Sequence, residues 1–466
     1  MTKILFFMPF FMLGGTFIQS LGFYFFAIFI PWYLCKNNLR EANELAPHFL
    51  KIGLGFILIF IIFPLANFVA LLVEQEQFLS VSTLASSLPF RKLMDSHFSS
   101  AIFSTGAFFV LLAVFLKYTW IKQKQAVIDH SNLFISFTKG TFIASCMLGC
   151  YLLLQHYTGF DFKGAGYKLG SSKRLVTSDS YRTLGFFSHP LSLAGGSLAI
   201  FSFYWVLFCQ TLTKKNHSEP IVNNPYLSAK LGKYYLLIAS LHFGFIILSG
   251  GRFAILLGIC LCISYPFFLP LSKTFSLARQ MFTAIAVGVT GILTFHSGVL
   301  YRFQELIVYW QQGKLDRLKF WQVHWQMLLD RPLIGHGHVW LKLHKREAYY
   351  KHLGFESLTN KYNAHNLYLE ILSNTGILGM IGVLGGGFII VNSYRHISLK
   401  TEHKVLFNAL LIAFSANLVN GMTNNSLFDS NIVYVYLFMT WVLTWNLLLT
   451  SSKKLSYRNS PSDKYR

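Results

Sequence analysis

Charge is scarce in this sequence, and acid scarcer still. Charged residues make up 12% of the chain, with 18 Asp and Glu against 40 Lys and Arg. Soluble globular domains carry roughly 25% charged residues, so a soluble fold is excluded. Cysteine is also rare. The six, Cys35, Cys146, Cys150, Cys209, Cys260 and Cys262, lie in or at the ends of apolar runs with no C-x-x-C pair. That spacing speaks against a disulfide framework and against a thiolate metal site, and they read as small apolar residues. A folded basic block is missing too. The net charge of +22 therefore points to an anionic membrane surface or an anionic substrate, and not to nucleic acid.

What is abundant is apolar: 53% of residues are hydrophobic and 17% aromatic. Runs such as "ILFFMPFFMLGGTFIQSLGFYFFAIFI" and "IGLGFILIFIIFPLANFVALLV" reach the roughly 20 residues that a bilayer-spanning helix needs. The expected fold class is all-α, a polytopic integral membrane protein, with residues 1–466 forming one membrane-embedded domain. Eleven apolar blocks begin near residues 4, 52, 101, 134, 184, 234, 253, 281, 368, 405 and 431. The first, Ile4 to Leu34, is too long for a signal peptide and is interrupted by Gly14 and Gly15. Folding it as a hairpin gives about twelve spans with both termini on one side; a single long tilted helix also fits.

The positive-inside rule orients the chain. With twelve spans the inner loops carry Lys122 and Lys124; Lys214, Lys215, Lys230 and Lys233; Lys273 and Arg279; Arg395, Lys400 and Lys404; and the basic tail 451–466 holds Lys453, Lys454 and Arg458. Two outer loops break the bias. Segment 155–183 carries Lys163, Lys168, Lys173, Arg174 and Arg182 against Asp161 and Asp179, and the long outer loop 302–367 holds ten Lys or Arg against five acids. Cations kept outside against the insertion bias imply a bound anion there, with contact to lipid phosphates the competing reading. Within that loop, "DRLKFWQVHWQMLLDRP" places Leu318, Trp321, Trp325 and Leu328 on one helical face, away from Arg317, Lys319 and His324, and Pro332 stops the helix. Its tryptophans suit a helix at headgroup level; a helix packed on the bundle is the alternative.

Four stretches fall on the outer side: "YRTLGFFSHPLSLAGG" with Arg182, Gly185, His189 and Pro190; "LSGGRFAILLG" with Arg252; "DRPLIGHGHVW"; and "NKYNAHNLYLEILSNTGILG", with His365, Asn366 and Glu370 where a loop enters a membrane run. An arginine placed as Arg252 is must reach the interface, pair with an anion or face a wet cavity. His365 and Asn366 suit a helix N-cap, satisfying free N–H groups, or a site of chemistry. Glu370, about one turn on, can orient His365 or pair with a lysine of the loop.

In these stretches the chain resembles the O-antigen ligase family of bacterial polytopic glycosyltransferases, which also takes in O-antigen polymerases. The matching patterns are R-x-x-G-x-x-x-x-P from Arg182 to Pro190 and the arginine after a Ser-Gly turn at Arg252. They continue with D-x-P-L-x-G-x-G from Asp330 to Gly337 and H-N-x-Y-L-x-x-L-x-x-x-G-x-x-G from His365 to Gly379. The resemblance covers about 182 to 450 and is most specific in the last motif. It implies transfer of a glycan from an undecaprenyl-diphosphate carrier to an acceptor hydroxyl on the periplasmic face of the inner membrane; the twelve-span reading with the positive-inside rule puts both termini in the cytoplasm. The partners are that donor, a lipid A–core or glycan acceptor, and membrane lipids; no cofactor is implied. The chemistry fits the residue types. A departing diphosphate needs fixed cations, and arginine holds phosphate oxygens bidentately without losing its proton. Arg182 and Arg252, backed by Arg331 and Arg174, are the expected diphosphate ligands. His365 is the expected general base, supported by Asn366, Glu370 and Tyr362.

His324, His336, His338, His344 and His352 raise a metal reading. The H-x-H of His336 and His338 lies between glycines without an acidic cluster, so a metal-independent reaction is expected. A polymerase of the same family is the alternative function, and a lipid-linked glycan transporter is the alternative of another class. The transporter predicts internal repeats and charges deep within several helices, whereas here the notable charges gather at one face.

Overall fold

Long apolar runs can satisfy their backbone in a bilayer only as helices, and helices are what form. The computed structural model describes residues 2–14, 19, 47–59, 61–62, 65, 130–161, 175–177, 180–187, 189–213, 225–267, 299–312, 315–337, 346–356, 358, 364–398, 403–424 and most of 432–444. Among them α1 (Thr2–Leu13), α2 (His130–Thr158), α3 (Pro190–Thr213), α4 (Ala229–Ser249) and α5 (Arg252–Phe267) precede α6 (Val299–Gln311), α7 (Asp316–Asp330), α8 (Arg346–His352), α9 (Leu367–Ser398) and α10 (Lys404–Asn420). One short antiparallel pair, β1 (Leu175–Thr177) and β2 (Ser180–Tyr181), joins them. Four helices among the described residues, within α2, α3, α4 and α9, are long and apolar enough to cross a membrane; Pro47–Ile59, α5 and α10 are shorter apolar helices. The apolar blocks near 101 and 281 and the tail 451–466 lie outside the described residues. So does most of the second arm of the hairpin expected in the first block, although α1 does end at Leu13, before Gly14.

α3 is the centre of the bundle and α9 its rim, with 89% and 28% of their spans buried. Polar side chains tie the interior across helices, as partners must be found where water is absent. Asn417 Nδ2 donates to Gly195 O at 3.0 Å, Tyr204 OH to Thr141 Oγ1 at 3.1 Å, and Ser145 Oγ lies 2.9 Å from His242 Nε2. At one end of the bundle Tyr226 OH lies 3.0 Å from His403 Nδ1 and its ring stacks edge-on against Phe134, joining the starts of α2, α4 and α10. The other end collects the C-termini of α2, α4 and α10 with the N-termini of α3, α5 and α9. Among the described residues the 181–187 loop and the 249–252 turn thus lie at one end, and Tyr226 and His403 at the other.

The long loop 302–367 contains α7 and α8, and α7 packs inward mainly through the face that carries Phe320, His324 and Met327. Phe320, Val323, His324, Met327 and Leu328 are buried, against Tyr350 and Leu358. Of the stripe read as suited to headgroup level, Leu318 and Trp325 are exposed, whereas Leu328 is buried and Trp321 partly so. The helix carries two apolar stripes, and the one bearing His324 wins because His324 finds partners on α9. The outer stripe, Leu318, Trp325 and Leu329, runs on through Leu333 to Ile377, Leu378 and Ile381, all exposed. Leu378 N–H donates to Leu333 O at 3.1 Å, so the two surfaces are continuous. A nitroxide label at Leu329→Cys is expected to be relaxed by oxygen in preference to a water-soluble nickel chelate, as for lipid-exposed sites, and one at Lys351→Cys on α8 the reverse. Equal accessibility to both quenchers at the two positions would exclude lipid contact by this stripe.

Candidate active site

Three of the expected residues stand at the same end of the bundle. The 181–187 loop is docked on the end of α2, where Gln155 Oε1 accepts the N–H groups of Leu184 (3.2 Å) and Gly185 (2.8 Å). That docking aims Arg182 at the end of α4, where its Nε donates to Ser249 O at 2.9 Å. A cation at a helix C-terminus is favoured by the free carbonyls and the dipole. Gly250, at φ 66°, closes α4 with its N–H on Ile247 O, and two residues later Arg252 opens α5. Sixty-seven residues apart in the chain, the arginine motif and the Ser-Gly turn meet in space. Pro190 starts α3, and His189 Nδ1 accepts Leu191 N–H at 3.1 Å as a local cap.

His365 sits at φ 49°, the one positive φ outside glycine among the described residues. Such a turn costs on the order of 1 kcal/mol and must be held by its surroundings. Asn366 follows as the true cap of α9, its Oδ1 accepting N–H from Tyr368 (3.0 Å) and Leu369 (3.1 Å). Leu367 N–H reaches across to Gly421 O at 2.7 Å. Glu370, almost fully buried, turns back to accept Ala364 N–H at 2.7 Å. Its other oxygen takes Asn374 Nδ2 at 3.1 Å and Arg346 Nη2 at 3.3 Å. The loop partner of Glu370 is therefore an arginine, and the carboxylate reaches the backbone before His365. Tyr362 and Arg174 lie outside the described residues.

α7 lies over this turn. Arg317, Phe320 and His324, spaced i, i+3 and i+7, share a helical face. The Phe320 ring is 5.8 Å from that of His365. His324 Nδ1 lies 2.7 Å from Ser373 Oγ, and its Nε2 is 3.9 Å from Glu370 Oε2. Burial pushes the His324 pKa down to about 4, against the pull of Glu370, so this histidine is neutral at pH 7. Arg317, at the open end of the face, is accessible to solvent yet crowded by protein, so desolvation lowers its pKa and the Arg252 charge adds to the effect. The His365 pKa is lowered as well, first by burial and then by Arg317, with Glu370 opposing. Arg317 thus stands electrostatically between Arg252 and His365. Sequence reading passed over it, because an arginine on an amphipathic helix reads as a solvated residue. The available signal was its i, i+3, i+7 register with Phe320 and His324. Glu305 and Tyr309, from α6, lie within electrostatic range of Arg252.

Residues 236–384, from α4 through the start of α9, match the family model described as O-antigen ligase. Over those residues the chain is similar to the O-antigen ligase family. No curated protein matches the chain. The family is one of membrane glycosyltransferases in O-antigen processing, and the matched residues include Arg252, Arg317, His365 and Glu370.

Within this O-antigen ligase region two of the glycine motifs interlock. α9 is broken at Gly376, whose φ 66° and ψ −169° are non-helical. The 332–337 loop fills the gap and satisfies the backbone groups that the break frees. Ile377 and Leu378 N–H donate to Pro332 and Leu333 O, and His336 and Gly337 N–H donate to Ser373 and Asn374 O. A Cβ on Gly335 would stand 2.5 Å from Asn374 C, and one on Gly376 2.3 Å from Leu333 O. Beyond the break, 377–398 is about 33 Å long at 1.5 Å per residue and can span a bilayer core of about 30 Å alone. Arg331 caps the C-terminus of α7, roughly 20 Å along the axis from Arg317, and so is not brought to His365. His336 Nε2 lies 2.9 Å from Met327 O; His338 is outside the described residues.

Proposed function

We propose that this protein moves a glycan from undecaprenyl diphosphate to an acceptor hydroxyl on the outer face of the bacterial inner membrane, most simply as a ligase acting on lipid A–core. The observation that carries this reading is the sequence of cations, Arg182 against the Ser249 turn, Arg252, then Arg317, ending at a neutral, half-buried His365. His365 takes the proton of the acceptor hydroxyl as its oxygen attacks the anomeric carbon. The bond from that carbon to the phosphate oxygen breaks, its electron pair stays on the diphosphate, and the configuration inverts. Arg252 and Arg317 hold the growing charge as fixed cations. Arg182 orders the turn that presents Arg252.

The test is replacement of the gene by single-residue variants, with the cell's glycolipids resolved by size. Arg252→Ala and Arg317→Ala are each expected to lower transfer by about 10²–10³-fold at unchanged protein level. A ligase defect leaves lipid A–core without long chains while carrier-linked polymer accumulates; a polymerase defect leaves lipid A–core bearing one repeat. Full transfer by the purified protein in chelator is expected, and loss restored by one added ion would overturn the metal-independent reading. Wild-type glycolipids in both arginine variants would overturn the diphosphate reading.

A further inference from the structure

We propose that Arg346 is a positioning residue of the transfer site, acting through Glu370 and the Ala364 N–H to hold His365 in its left-handed turn. The inference rests on the reading of His365 as general base. Arg346 stands at the start of α8, a helix of seven residues outside the bundle, and its side chain is 4% exposed. Burying a guanidinium is costly unless it is paired. Yet Arg346 makes a single hydrogen bond among the described residues, Nη2 to Glu370 Oε1, while Nε and Nη1 are buried without a partner. Among the described residues its pairing is with this one carboxylate.

That carboxylate in turn governs the site. Glu370 Oε2 accepts from Ala364 N at 2.7 Å, the residue immediately before the φ 49° of His365. Oε1 is shared between Arg346 and Asn374. Among the described residues Glu370 is faced by the Arg346 guanidinium, the Asn374 amide, the Ala364 N–H and His324, with His365 and Tyr350 in electrostatic range. Since His324 is neutral at pH 7, Arg346 is the positive charge of this set. Without it, Glu370 either keeps a buried charge less well balanced or takes up a proton, and in both cases its hold on Ala364 weakens. Misplacing a catalytic group by about 1 Å can cost 10²-fold.

The experiment uses the full chain, purified and reconstituted, as wild type, Arg346→Gln, Arg346→Lys, Glu370→Gln, and the double variant Arg346→Gln with Glu370→Gln. Two readouts are taken: transfer rate, and carbethoxylation of His365 by diethyl pyrocarbonate followed by peptide mass spectrometry. Arg346→Gln is expected to lower kcat ten- to a hundredfold with little change in KM, and to change His365 reactivity severalfold. Arg346→Lys is expected to restore most of both. The double variant removes both charges and leaves an amide oxygen for Ala364 N–H, so it is expected to be no worse than Glu370→Gln alone. Additive losses in the double variant, or unchanged His365 reactivity in Arg346→Gln, would overturn the proposal. If His365→Ala transfers at the wild-type rate, the general-base reading fails, and the reactivity pattern still reports on the positioning.

Discussion

His365→Ala is expected to lower the transfer rate by about 10²–10⁴-fold, the usual contribution of a general base, without loss of folded protein. The side chain is partly exposed and its alanine replacement leaves the Ala364, Asn366 and Leu367 hydrogen bonds intact, so stability is expected to change little. The positive φ at this position is a separate cost that alanine would also bear. His365→Asn, which tolerates the left-handed region better, is expected to fold at least as well and to be as inactive. An active asparagine variant would remove proton abstraction from the mechanism.

The pH profile follows from the same surroundings. With His365 as the proposed general base, transfer needs its neutral form, so the rate is expected to fall as pH drops through its pKa. Burial and Arg317 hold that pKa below the ordinary value, so the rate is expected to be flat around neutrality, with its acid limb below about pH 6.5. Removing the Arg317 charge is expected to move the limb to higher pH, and Arg317→Lys to keep it in place. Measured as initial rates, this limb separates from a stability effect in the same range. His324, pushed down to about 4, binds a proton more readily unfolded than folded, so its contribution to stability is present above about pH 6.5 and is lost as pH falls toward 4.

The sequence made the end of the molecule that carries the candidate site legible through residues that break a general rule. Arg182, Arg252 and His365 stand out because charged or ionisable groups beside apolar runs need a reason. The bias of Lys and Arg between loops already put them on one side. The docking of Arg182 on the turn before Arg252 was not legible, because it depends on a side chain of one loop reaching a carbonyl 67 residues away. Arg317 and Arg346 were hidden for the opposite reason. Both lie in a polar loop rich in cations, where a lysine or arginine is unremarkable until the fold buries its neighbours. α7 shows the same limit in its packing. Periodicity established a helix, but with two apolar stripes available only the partners of His324 on α9 decide which one turns inward.

The break in α9 is the feature that hydropathy conceals most completely, since one glycine in a long apolar run reads as a continuous span. Gly376→Ala is expected to destabilise the protein by on the order of 3 kcal/mol or more. The backbone at φ 66° and ψ −169° lies in a region open essentially to glycine alone, worth about 1–3 kcal/mol of strain for another residue. The new Cβ would also meet Leu333 C and O at 2.3 Å, backbone atoms that can yield only if the 332–337 loop moves. That loop carries the hydrogen bonds to Ser373 and Asn374, and these residues contact His324 and Glu370. Unseating it therefore loosens the hold on Ala364 and His365 as well. Gly385→Ala is the control in the same helix, because a Cβ there meets nothing within 4 Å; it is expected to be neutral or slightly stabilising, as for glycine replaced within a regular helix. Thermal unfolding and transfer rate, measured on both variants, test this directly. If Gly376→Ala matches Gly385→Ala in both, the docked loop is not what seats the His365 turn, and α9 would be continuous without loss.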